Sequence, residues 1–171
     1  MNYIFLDIDG VLTSTLETPG SYINHSPAEY GISASCIERL IKLADACNAK
    51  VVISSNWRRF PDDGVWVHSK EKQLKNPLPG LKKKLGSRYV GDLTHERHLT
   101  KSEALELWFE DSDIDWKECH FVVFDDDLRE GFQDTFDYGI YKKFILTNPQ
   151  LGLTSQNINK AMEILEDQNR V

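Results

Sequence analysis

The chain has 171 residues, 40% of them hydrophobic, enough for one substantial core and too few for two full domains. Twenty Lys and Arg against twenty-seven Asp and Glu leave a net charge of -7, which argues against a surface coated uniformly in nucleic acid but leaves room for a local basic patch. Cys36, Cys47 and Cys119 are odd in number and lack paired spacing, so neither a disulfide framework nor a zinc site is expected, and they read as small core residues in a reducing interior.

The first element is the apolar run Tyr3-Ile4-Phe5-Leu6, which ends abruptly in Asp7-Ile8-Asp9-Gly10-Val11-Leu12. A buried strand that delivers two carboxylates to a sheet edge has this pattern, although Asp-x-Asp-Gly taken alone is equally well an acidic turn. The run is short, has no basic leader and ends in Asp7, so it reads as neither a signal peptide nor a membrane span, and a cytoplasmic location with no membrane partner is expected. Pro19-Gly20, Ser26-Pro27 and Gly31 break any period over the next segment, an insertion at about 13-35. Ser33 or Ser35 then caps an amphipathic helix carrying Ile37, Leu40, Ile41, Ala44 and Cys47. Lys50-Val51-Val52-Ile53 is a second buried strand, ending in Ser54-Ser55-Asn56-Trp57-Arg58.

Regularity lapses over a larger insertion at about 60-98. Pro61-Asp62-Asp63-Gly64, Asn76-Pro77-Leu78-Pro79-Gly80 and Gly86 read as loop punctuation, with short strands possible at Trp66-Val67 and Tyr89-Val90. Between Lys70 and Arg88 lie seven basic residues and one acidic, Glu71. That balance describes either a solvated face, with Lys82-Lys83-Lys84 on one helical turn, or a landing surface for a nucleic acid. Thr100-x-x-Glu103 is a capping box that opens a helix with Ala104, Leu107 and Trp108 on one side, placing Lys101 in the first turn, where a cation opposes the helix dipole. Cys119 to Phe124 forms a third buried strand ending in Asp125-Asp126-Asp127, carboxylates that repel one another unless positive charge sits among them. Lys143 to Thr147 is a fourth strand, and a closing helix capped near Ser155 has Ile158, Ala161, Met162 and Leu165 as its apolar face. Strand, helix and strand in alternation describe an α/β fold: a Rossmann-like three-layer sandwich with a mainly parallel central sheet and a small inserted cap or loop region, one domain over 1-171.

In such sheets functional groups collect at the carboxyl ends of the strands. Asp7, Asp9, Ser54, Ser55, Asp125 and Asp126, with Lys101 at a helix start, then converge into an oxygen-rich site suited to Mg²⁺ and a phosphate. At this point the chain resembles the haloacid dehalogenase-like (HAD) phosphatase superfamily. Asp7-Ile8-Asp9-Gly10-Val11-Leu12 matches its first motif, Val52-Ile53-Ser54 its second, Lys101 its third and Phe124-Asp125-Asp126-Asp127 its fourth. The strings Ile53-Ser54-Ser55-Asn56-Trp57-Arg58, Lys101 to Phe109 with its Trp108-Phe109, and Gly152-Leu153-Thr154 look like the small HAD domains grouped with RNA-repair and polynucleotide phosphatases.

The resemblance implies a Mg²⁺-dependent phosphomonoesterase in which Asp7 is the nucleophile, forming an aspartyl-phosphate, and Asp9 the acid and base. It implies Mg²⁺ held by Asp7, the Asp9 carbonyl and Asp125, with Asp126 direct or through water, and phosphate held by Ser54, Ser55 and Lys101. Only one of Ser54 and Ser55 is expected to point inward from the strand, and Ser54 is favoured; Asp125 is preferred over Asp126 because it directly ends the apolar run. Arg97 or Arg58 would supply the cation if Lys101 were displaced. Asn56, Trp57 and Arg58 are candidates for a substrate rim. Trp57 and Trp66 either stack a base there or simply pack. The expected substrate is a nucleotide or polynucleotide-end phosphate. The alternative is a receiver-like or nucleic-acid-binding regulatory domain without turnover, a reading against which Asp9 weighs because a receiver needs no second carboxylate two residues after the first.

Overall fold

Alternation along the strands divides the core in two. In β1 (Asn2–Leu6), Ile4 and Leu6 enter one apolar cluster while Tyr3 and Phe5 enter another. The same split recurs in β2 (Ala49–Ile53), with Val51 and Ile53 opposite Val52. It recurs again in the strand His120–Asp125, where Val122 and Phe124 lie opposite Phe121 and Val123. A sheet apolar on both faces has to be covered on both, which is the condition for a parallel α/β sandwich.

The computed structural model describes residues 1–14, 32–59, 65–69, 72–75, 78–94, 99–127 and 142–166, with backbone alone at 58–59, 65–69 and 72–75. In chain order the remaining elements are α1 (Ala34–Ala46), the hairpin strands β3 (Val65–Ser69) and β4 (Lys72–Lys75), α2 (Leu78–Leu85), β5 (Tyr89–Asp92), α3 (Lys101–Asp111), β6 as given above, β7 (Phe144–Leu146) and α4 (Ser155–Glu166). The main sheet runs β5-β2-β1-β6-β7 and every pairing in it is parallel. Leu78, Leu81 and Leu85 of α2 and the apolar stripes of α1 and α4 join the cluster of Ile4 and Leu6. On the other face Ala104, Leu105 and Phe109 of α3 pack on Phe5 and Phe121, and the half-buried Trp108 meets Tyr3 and Phe5 edge-on at 5.2 Å each. None of the described helices is long and apolar enough to cross a membrane.

The caps fall where expected, and other local expectations change. Ser33 is the cap of α1, accepting from the Cys36 N–H, and the α4 cap is Thr154, whose hydroxyl accepts from Asn157 N–H while its own N–H donates to Asn157 Oδ1. The packed face of α3 keeps the expected Ala104 and Trp108, the latter half-buried, but takes Leu105 and Phe109 in place of Leu107. Pro79, read as loop punctuation, lies in the first turn of α2, where a missing N–H costs no helical bond. Tyr89-Val90 extends into a full edge strand of the main sheet; its residues are half-exposed or exposed, so it lacked the apolar run that marks the central strands. Of the 13–35 insertion, the described base is closed by an antiparallel bridge between Thr13 and Ile32.

Candidate active site

Leu6 pairs with Ile53 on one side and Phe124 on the other, so Asp7, Ser54 and Asp125 leave the three central strands at one level. Two more ladder bonds hold that level, from Asp7 N–H to the Phe124 carbonyl at 3.0 Å and from Ser54 N–H to the Leu6 carbonyl at 2.8 Å. Phe5, Val52 and Val123 face α3, and residues two positions on share a strand face, so Asp7, Ser54 and Asp125 are directed to the start of that helix. There the Thr100–Glu103 capping box fixes the first turn, and Lys101 extends its ammonium to 2.8 Å from Asp125 Oδ2 and 3.2 Å from Asp7 Oδ2. Asp7, Lys101 and Asp125 are all buried. The unfavourable interaction of Lys101 with the helix dipole is therefore offset by two carboxylates that need a cation.

Asp126 completes a group with Asp7 and Asp125 whose ligand oxygens lie within 4.8 Å of one another. Three carboxylates and one ammonium leave a formal charge of about −2, which a hard divalent cation with oxygen ligands would neutralise, so the donor set fits Mg²⁺. The Asp9 carboxylate is outside this group, which leaves Asp9 its backbone carbonyl as a route to the same ion. Gly10 makes the group possible. Its φ is +66°, and a Cβ there would overlap the Asp126 carboxyl and come within 2.6 Å of Asp126 Cβ. The loop is held on both sides: Gly10 N–H donates to Thr13 Oγ1 and Thr147 Oγ1 donates to the Gly10 carbonyl, each at 2.8 Å. The single Ile8 carbonyl accepts from the N–H groups of Val11, Leu12 and Thr13. Further along, Leu153 N–H donates to the Val11 carbonyl at 2.7 Å and Ser14 to the Gln150 carbonyl at 2.8 Å, so the 147–153 turn clasps the β1 loop.

Asp9 has a different environment. It is half-buried, and its Oδ2 accepts from the Trp57 indole N–H at 2.8 Å. Burial first, and then the neighbouring Asp7 carboxylate, push its pKa up to about 6, against the opposing effect of the indole bond. Burial and Asp7 likewise raise Asp125 and Asp126, opposed in both by Lys101. Trp57 is only 7% exposed and packs in the cluster of Ile4 and Leu6, so it presents no open face for base stacking. Its own N–H donates to Ser55 Oγ at 3.3 Å, opening the short 3-10 turn Asn56–Arg59. Ser55 thus shapes the turn, while Ser54 stays on the strand face shared with Asp7. Asn56 is half-buried beside them. The side chains of Arg58 and Trp66, and all of Arg97, lie outside the described residues.

The basic segment also divides. Lys82 pairs with Asp92 at 2.8 Å and Arg88 with Asp45 at 2.6 Å, leaving Lys83 and Lys84 as the exposed lysines of α2. Lys70 and the side chains of Lys72 and Lys75 are outside the described residues. Sequence reasoning missed the Trp57–Asp9 bond and the Thr147 contact; neither has a signal in spacing, because each joins residues distant in the chain. Gly10 was legible as a turn residue, but its close approach to Asp126 was not.

A family model described as "HAD domain in Swiss Army Knife RNA repair proteins" matches residues 3–158. No curated protein matches the chain.

Proposed function

The chain belongs to the family of HAD domains in Swiss Army Knife RNA repair proteins, and from that premise we propose that it is a Mg²⁺-dependent phosphomonoesterase acting on nucleotide or polynucleotide-end phosphates. The observation that carries the reading is the separation of two carboxylates only two residues apart. Asp7 sits against Lys101 in the acidic group, the place for a nucleophile, whereas Asp9 is turned to Trp57 with a raised pKa.

In the first step an Asp7 carboxylate oxygen attacks phosphorus, the ester P–O bond breaks, and the leaving oxygen takes the Asp9 proton. In the second, Asp9 removes a proton from water, the hydroxyl oxygen bonds to phosphorus, and the P–O bond to Asp7 breaks to release phosphate. Lys101 and the Ser54 hydroxyl would hold the phosphoryl oxygens as charge redistributes. Asp7, Asp125, Asp126 and the Asp9 carbonyl would hold Mg²⁺, which when bound neutralises the acidic group and lets a phosphate approach it. The family description favours a nucleic-acid end, and exposed Lys83 and Lys84 add a modest electrostatic contribution.

The test is hydrolysis of p-nitrophenyl phosphate, mononucleotides and 3′- and 5′-phosphorylated oligonucleotides with Mg²⁺ or with chelator, beside Asp7→Asn. Mg²⁺-dependent turnover lost in Asp7→Asn is expected; no hydrolysis across the panel would refute the reading.

A further inference from the structure

We propose that Trp57 is a positioning residue for the acid Asp9, fixing which carboxyl oxygen carries the transferable proton. The inference rests on the phosphatase reading above. An indole N–H only donates, so at 2.8 Å from Asp9 Oδ2 it favours the better acceptor there, an unprotonated oxygen, and disfavours a proton on that oxygen, whose hydroxyl form accepts more weakly. The acid form of Asp9 therefore carries its proton on Oδ1, and the base form receives one there. The same bond holds the carboxyl apart from the Asp7, Asp125 and Asp126 group, so Asp9 is not drawn into it as another side-chain ligand.

Trp57 suits the task because it is rigid. Its backbone N–H is tied to Ser55 Oγ and its ring is packed among the core residues beneath the sheet edge, so the donor does not rotate as a hydroxyl would. An indole N–H also has no acceptor lone pair to offer in place of its proton, so it serves as a donor alone. Packing would explain an apolar ring at this place; it does not explain a ring whose one polar atom meets the carboxylate two residues after the nucleophile.

The experiment compares two leaving groups. A nitrophenolate departs with little help from an acid, whereas the alcohol of an oligonucleotide end needs the proton. With the full chain and Mg²⁺, Trp57→Phe is expected to lower kcat/KM, which reports the first step alone, about 10- to 100-fold on a phosphorylated oligonucleotide and less than about 3-fold on p-nitrophenyl phosphate, with Asp9→Asn showing the same selectivity more strongly. If Asp9→Asn is selective but Trp57→Phe costs both esters equally, or neither, the role of Trp57 is overturned while the phosphatase reading stands. A wild-type chain inert toward both esters removes the phosphatase reading instead, and the catalytic role of Trp57 with it. A measurement independent of turnover and of the fold of Trp57→Phe is the Trp57 indole ¹H–¹⁵N resonance: it should move upfield in Asp9→Ala, and an unmoved resonance overturns the proposed bond.

Discussion

Gly10 lies directly beneath the Asp126 carboxyl, in a backbone conformation with φ +66° that other residues rarely adopt. Two independent penalties therefore fall on Gly10→Ala, backbone strain and displacement of a carboxylate from the acidic group. We expect a loss of about 1–3 kcal/mol in stability together with at least a 10-fold weaker response to Mg²⁺. Thermal denaturation titrated with Mg²⁺ separates the two, since strain alone would lower the melting temperature without changing the metal concentration at half-effect.

Lys101 is the cation between two buried carboxylates, so its removal leaves them uncompensated. Lys101→Met is expected to destabilise the metal-free protein by about 3–5 kcal/mol. Mg²⁺ should recover part of that stability without restoring turnover, because the group proposed to hold the phosphoryl oxygens is gone. Urea denaturation with chelator and with Mg²⁺, beside a hydrolysis assay, checks both halves.

The pH dependence of Asp9 follows from its raised pKa. With a folded value of about 6 against an ordinary 3.8, the folded state binds more protons between those values, so the contribution of Asp9 to stability is fully present below about pH 4 and is lost as pH rises through 6. Asp9→Asn in chelator should therefore match wild type near pH 4 and exceed it by a few degrees in melting temperature above pH 7. Equal melting temperatures at both pH values would show that Asp9 is not perturbed.

Metal binding should stabilise the native state by mass action, about 2.7 kcal/mol at a hundredfold excess of Mg²⁺ over its dissociation constant. Asp125→Asn is expected to remove most of that increment, because Asp125 is fully buried within the acidic group. Isothermal titration of the wild type and the variant with Mg²⁺ measures it directly.

The residues of the acidic group were legible in the sequence because each follows an apolar strand, and a parallel sheet sends all such ends to one edge. Strand alternation then resolves Ser54 from Ser55, a choice that spacing alone left open. Trp57 was not legible in the same way: tryptophan after a strand satisfies packing, stacking and hydrogen bonding alike, and only the fold shows that its N–H meets Asp9. The β5 strand was legible only as a short strand at Tyr89-Val90 because a half-exposed edge strand containing Gly91 lacks the apolar run of its neighbours, and the start of α2 was read as a loop because Pro79 and Gly80 resemble one.

The clasp of the 147–153 turn on the β1 loop bears on the order in which the site can be assembled. The proposed nucleophile, Asp7, lies far upstream of this turn, yet Gly10 and Val11 accept hydrogen bonds from Thr147 and Leu153, and Ser14 donates one to the Gln150 carbonyl. Gly152, at φ +64° and with a Cβ position 2.9 Å from the Val11 carbonyl, leaves no room for a side chain in that contact. On the ribosome, the loop bearing Asp7 and Asp9 therefore waits for some 140 further residues before its last supports are synthesised, and a nascent chain stopped short of residue 147 would carry both carboxylates without a finished cradle.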